Sequence, residues 1–210
     1  MGVIGEKELD KFAEAVASPA PAPGGGSVAA VCGALSAALA RMVANIALGK
    51  KEYESAHRDL RRLCKEAEGL QDTLLQLAEE DSEAYRAVIK SFSLPKDTTA
   101  QKERRRRVVQ AALKRAAEVP LETMESCLDV LSLSRMALRK GSREAFTDAG
   151  SAALLAHAAL KSAELNVRVN LMSIRDDAFR RRAEAEAGKM SRDATALLRT
   201  VKRLVRERMR

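Results

Sequence analysis
Apolar residues recur at three- and four-residue spacing along almost the whole chain. Leu60, Leu63, Leu70, Leu74, Leu77 and Ala78 fall on one stripe, which predicts a long amphipathic helix over about 53–91. The one alternating patch, Val167-Arg168-Val169-Asn170-Leu171, continues an Ala-rich helical segment, so no strand is predicted. A short helix is expected near 6–17 and a second over about 26–48, with Gly49 as its stop. Ser93-Leu94-Pro95 ends the long helix, and Thr98-Thr99-Ala100-Gln101 reads as a capping box for the next. That helix is expected to reach about residue 117, with Pro120 either opening a new helix or kinking the old one. Gly141-Ser142 reads as a stop and a fresh cap. Residues 143–173 are small and apolar on nearly all sides, whereas 177–210 is charged with Ala/Leu spacing and belongs on the outside.

These elements predict an all-α fold, an antiparallel helical bundle with long helices, forming one domain over 1–210. No repeat or linker divides it. Two helices apolar all round exceed what one small core needs, which points to a homodimer that uses one of them.

Composition narrows the picture. Aromatic residues are 3% with no Trp, so the core must be built from Leu, Val, Met and Ala, and Ala lets helices approach closely. Residues 27–48 could pass for a membrane span, but Arg41 lies inside and would cost about 3 kcal/mol at a bilayer centre. A buried bundle helix is expected, with no membrane partner. The N-terminus lacks a signal-peptide pattern, and Cys32, Cys64 and Cys127 are odd in number and widely spaced, as suits reduced thiols in a cytoplasmic protein. A net charge of +8 permits polyanion binding. The densest basic run, Lys102 to Arg107, has no interleaved aromatics, so a solvated helical face is expected there and nucleic acid is not the expected partner.

Candidate chemistry begins at Ser18–Ala34, where a proline-spaced arm ends in Pro23, Gly24, Gly25, Gly26 and Ser27 before a run of tiny residues. The glycines allow close approach to the backbone, and Ser27 is placed to cap a helix whose first N–H groups face the loop. A helix N-terminus of this kind can hold an anion or polar ligand. It has no phosphate-loop spacing. No His, Cys or carboxylate cluster has metal spacing, so no metal is expected. His57 is expected to be exposed, and His157 to be a satisfied buried histidine. Asp148 lies among tiny and apolar neighbours, where a carboxylate needs a capping role, a partner or a function. Asp81 sits late in the long helix, on a polar face or in a site. Asn166 and Asn170 share a helix face and need partners, from another helix or from a polar heterocycle. Asp148 and Asn166 on one straight helix would be about 27 Å apart. They can serve one reacting centre only if the helix breaks, the ligand is elongated or two subunits share the site.

Taken in series, the blocks resemble a known family. Pro21 to Ala30, Gly33-Ala34-Leu35, Gly49-Lys50-Lys51 with Tyr53, Asp81-Ser82 with Ala84-Tyr85, Ala116-Ala117 with Pro120-Leu121, Asp148-Ala149-Gly150 and Leu165-Asn166-Val167 with Asn170 are similar to the cyclodeaminase domain of formiminotransferase-cyclodeaminase. Its relatives include stand-alone bacterial methenyltetrahydrofolate cyclohydrolases. The resemblance implies an all-helical homodimer acting on a tetrahydrofolate derivative, polyglutamylated forms included, with no cofactor beyond that substrate. Formiminotetrahydrofolate cyclodeaminase is the first expectation, methenyltetrahydrofolate cyclohydrolase the alternative, and a non-catalytic basic helical binder the third. Both reactions pass through a tetrahedral carbon between two nitrogens and need a group that takes and gives a proton. Asp148 is the first candidate and Asp81 the second. Gly24 to Ser27 would hold a polar edge of the folate, Asn166 and Asn170 the pterin, and Lys50 and Lys51 the glutamate tail.

Overall fold
A computed structural model describes residues 8–210. Six α-helices follow one another: α1 (Leu9–Ala17), α2 (Gly25–Leu48), α3 (His57–Phe92), α4 (Thr99–Lys140), α5 (Phe146–Leu171) and α6 (Asp177–Arg208). A 3₁₀ segment, Lys51–Ala56, links α2 to α3, and no strand occurs among the described residues. The all-α bundle is as expected. The part of the first predicted helix that falls on residues 6 and 7 lies outside the described residues.

Helix α2 packs against α3, α4 and α5. Its Ala30, Ala37, Ala40, Ala44 and Ala47 are fully buried, and α5 matches them with Ala149, Ala152, Ala153 and Ala156. Larger side chains complete the core: Leu60, Leu63 and Leu74 from α3, and Met124, Leu131 and Leu138 from α4. Each such burial contributes about 1.5–3 kcal/mol. Gly33 shows how closely the helices approach, because a Cβ there would lie 2.8 Å from Cys127 Sγ. By length and composition α2 could cross a membrane, but more than half of its most apolar window is buried in the bundle. Arg41 is paired with Glu68 on α3 at 2.8 Å.

The Thr98 capping box forms as predicted, with Gln101 N–H donating to Thr98 Oγ1 at 3.2 Å and Thr98 N–H to Gln101 Oε1 at 3.0 Å. Other boundaries differ from expectation. The expected end near residue 117 does not occur and Pro120 does not open a new helix, since α4 runs on through it for 42 residues. A proline has no N–H for the carbonyl four residues back, which here is Ala116. Asn170 Nδ2, on α5, donates to that carbonyl at 2.6 Å. The partner that proline removes is therefore supplied from another helix. Ser142 does not cap α5, whose N-cap is Ala145. The outer helix α6 is tied to α5 through the buried Glu164, which accepts from Arg168 at 2.5 Å and from Ser191 at 3.0 Å and pairs with Lys161.

Candidate functional site
The Pro-Gly block forms a corner. The Ala22–Pro23 peptide is cis, Gly24 is the N-cap of α2, and Gly24 offers no side chain to cap it. Ser27 is not the cap. It lies fully buried inside the first turn, and its hydroxyl donates to Asp81 Oδ2 at 2.9 Å. Asp81 thus presents its carboxylate to the N-terminus of α2 from α3, at the positive end of the helix dipole. Ser82, also buried, lies 3.1 Å from Ser27 Oγ. With the Ser27 proton directed to Asp81, the Ser82 hydroxyl donates to Ser27, giving a chain Ser82→Ser27→Asp81.

The glycines are set by what approaches them. An ideal Cβ on Gly26 would lie 2.1 Å from Asp81 Oδ1, a distance no side chain tolerates. One on Gly25 would lie 3.6 Å from Asn166 Nδ2 and 3.9 Å from its Oδ1, in ordinary contact. One on Gly24 would meet nothing within 4 Å, so the backbone there is open. Burial raises the Asp81 carboxyl above its ordinary value of 3.8, against opposing hydrogen bonds from the Ser27 hydroxyl and backbone. A half-buried carboxylate of raised pKa, beside helix N–H groups and an amide, can take and release a proton at a bound ligand.

The structure therefore brings together Pro23, Gly24, Gly25, Gly26, Ser27, Asp81 and Asn166. Asn166 donates to Ser162 O at 2.9 Å within its own helix. Asn170 lies one turn on, one of its two amide N–H groups committed to Ala116, which leaves the other N–H and the side-chain oxygen for a ligand. Lys50, Lys51 and Asp148 are not at this corner. Lys50 pairs with Glu144 at 2.6 Å, and Lys51 is exposed at the start of the 3₁₀ segment. Asp148 is half-buried in the first turn of α5 and makes no side-chain capping bond. Because α5 is unbroken, Asp148 and Asn166 stay about 27 Å apart in one chain.

Ser82 was not among the sequence candidates, although the α3 stripe pointed to it: four residues beyond Ala78, it is a polar residue at a buried position. His157 is half-buried, with Nε2 3.5 Å from Thr195 Oγ1, and burial holds its pKa below the usual range. It is less enclosed than expected. His57 is also half-buried rather than exposed. No group of three or more His, Cys, Asp or Glu residues among those described could hold a metal. The Lys102 to Arg107 run is largely exposed, with Arg105 resting on the Phe92 ring at 5.8 Å.

Residues 8–189 match the family model of formiminotransferase-cyclodeaminase. A methenyltetrahydrofolate cyclohydrolase of Methylorubrum extorquens is 41% identical over 177 residues, covering 84% of this chain and 85% of that protein. A formimidoyltransferase-cyclodeaminase of Sus scrofa is 33% identical over 189 residues, 90% of this chain but 35% of that protein. The chain thus spans about a third of that longer relative. The crystal structure of formiminotetrahydrofolate cyclodeaminase from Thermotoga maritima superposes with a TM-score of 0.88 at 30% identity, covering 97% of this chain and 98% of that one.

Proposed function
This chain belongs to the formiminotransferase-cyclodeaminase family, and from that premise we propose that it hydrolyses 5,10-methenyltetrahydrofolate to 10-formyltetrahydrofolate. The observation that carries this choice is the 41% identity, over nearly the whole of both chains, to a protein named for that reaction. The family resemblance put the cyclodeaminase first; the Methylorubrum extorquens relative favours the hydrolase.

The Asp81 corner suits the chemistry. The methenyl bridge is a cationic carbon between N5 and N10, and a carboxylate beside it stabilises that charge. In the proposed step, ionised Asp81 takes a proton from water as the water oxygen bonds to the bridge carbon. The C–N5 bond then breaks, its electron pair goes to N5, and Asp81 returns the proton there. The remaining hydroxyl loses its proton to solvent, leaving the formyl group on N10 and releasing one proton overall. Free N–H groups at Gly25 and Gly26 and the Asn166 amide hold polar edges of the folate.

Asp81 takes precedence over Asp148 within one chain because it alone shares the glycine corner. Lys50, Lys51 and Asp148 reach the same folate only from a second subunit. Exposed apolar stripes suit that partner: Val28, Leu35 and Met42 on α2, and Leu154, Leu165 and Val169 on the adjacent α5, each between 38% and 67% exposed. We place the reaction in a homodimer in the cytoplasm, with the lysines of one subunit attracting the glutamate tail, polyglutamylated or not, of folate bound by the other.

The cyclodeaminase reading is kept by the Thermotoga maritima fold match. Two substrates separate the readings. The hydrolase makes methenyl absorbance fall faster than the spontaneous rate. The cyclodeaminase releases ammonia from 5-formiminotetrahydrofolate as that absorbance rises. Neither signal, together with salt-sensitive DNA binding, would leave the basic helical binder.

A further inference from the structure
Buried polar atoms in a folded chain are nearly always hydrogen-bonded. Among the described residues, four buried side-chain atoms have no partner in the chain: His57 Nε2, Arg105 Nε, Ser142 Oγ and Arg208 Nη1. Three of the four gather at one end of the bundle. There the 3₁₀ segment, the α4–α5 turn and the last turn of α6 enclose a cavity of about 690 Å³. Its lining includes Tyr53, Arg143 and Arg208, and also Ala56 and Gly141, the chain neighbours of His57 and Ser142.

Charge in this cavity is unbalanced. Lys140 is neutralised by Asp59, and Glu144 by Lys50. Glu52, also in the lining and without an ion pair among the described residues, offsets one further positive charge, so the three arginines of the lining leave a net excess of two. Arg139, Arg143 and Arg208 have no carboxylate within ion-pair distance among the described residues. Burial, and then the nearby Arg143, holds the Arg208 guanidinium below its usual range, with Tyr53 acting the other way. The Tyr53 hydroxyl accepts from Arg143 N–H at 2.9 Å, so its own proton is available to an acceptor.

We propose that this cavity binds a small molecule bearing a carboxylate or phosphate group, taken by Arg208 Nη1, the Arg143 guanidinium and the Tyr53 hydroxyl. Planar guanidinium donors match either oxyanion. The volume lies in the range of small-molecule pockets and exceeds what a bare ion needs. The cavity lies at the far end of α2, roughly 36 Å along that helix from the glycine corner. Lys50, given to the glutamate tail above, pairs with Glu144 of this lining, so the carboxylate arm deepens that reading; the pyrophosphate arm and the arginine variants test the cavity without it.

The test is calorimetric titration of the full chain, at physiological salt, with pyrophosphate and separately with γ-linked triglutamate. At least one is expected to bind saturably at one site per chain, and the tighter arm identifies the phosphate or carboxylate source. Arg208→Gln and Arg143→Gln should each weaken it tenfold or more. Arg199→Gln, which removes the same charge from an exposed position on α6, should leave it unchanged. Tyr53→Phe, read beside a circular-dichroism check of folding, serves if the arginine variants do not fold. The proposal is overturned if neither probe saturates, if Arg208→Gln or a folded Tyr53→Phe binds undiminished, or if Arg199→Gln loses as much affinity as Arg208→Gln.

Discussion
The Asp81 carboxylate occupies the space that a side chain on Gly26 would need, its Oδ1 2.1 Å from the ideal Cβ position. The carboxylate and the first turn of α2 are therefore matched in shape, and the match grades along the three glycines. Gly24→Ala should leave activity near wild type, and Gly25→Ala should reduce it modestly. Gly26→Ala should lower kcat/KM at least tenfold by displacing Asp81. Stability should change little, because Ala within a helix gains up to about 1 kcal/mol over Gly, offsetting part of the clash. Steady-state kinetics and urea unfolding on the three variants check the order.

Ser27 tunes Asp81. Its hydroxyl favours the ionised carboxylate, so Ser27→Ala should push the already raised pKa further up. A base must be ionised to act, so the acid limb of the kcat/KM profile should lie above 3.8 in wild type and move to higher pH in Ser27→Ala. An unmoved limb would separate Ser27 from the titrating group. Linkage gives a second sign. The folded state binds the Asp81 proton more tightly than the unfolded chain does. This contribution to stability is full below 3.8 and is lost as pH rises through the raised value. Asp81→Asn should therefore be at least as stable as wild type at pH 7.

Asn170 and Pro120 form a compensating pair across α4 and α5. Asn170→Ala leaves the Ala116 carbonyl without its donor and should cost about 1–3 kcal/mol. Pro120→Ala restores an N–H to that carbonyl, so the cost of Asn170→Ala should shrink in its background. A double-mutant cycle by chemical denaturation measures this coupling, and additive effects would refute it.

The exposed α2 and α5 stripes should be covered in solution. Sedimentation should show a dimer, and Leu35→Glu with Leu165→Glu should give a folded monomer of much reduced activity. If Asp81 and Asp148 meet across that face, mixing the inactive Asp81→Asn and Asp148→Asn proteins should regain about a quarter of wild-type activity, since half the dimers are mixed and each carries one intact site. No recovery after verified subunit exchange would place each site within one chain.

The helices were legible because their apolar spacing is local, and so was the Thr98 capping box. What the sequence hid depends on distant partners. The helix before Pro120 is expected to stop near residue 117 because the donor that replaces the missing proline N–H, Asn170, comes fifty residues later. Ser27 looked like a helix cap because the group that meets the α2 N-terminus is Asp81, on another helix. The glycine block was readable as a close-approach site, but which carboxylate approaches it was not. Asp148 had the more apolar neighbours in sequence, whereas Asp81 gains its burial from packing. Lys50 and Lys51 follow the Gly49 stop of the helix predicted over about 26–48, so their distance from the corner within one chain was legible.

Asp81 as the proton-transferring group tests most directly through one comparison: the enzyme-dependent decay of methenyltetrahydrofolate absorbance, wild type against Asp81→Asn, both shown folded by circular dichroism. Wild type is expected to exceed the spontaneous rate and Asp81→Asn to fall about 10²–10⁴-fold below wild type. An Asp81→Asn protein that hydrolyses the substrate as fast as wild type would contradict the assignment.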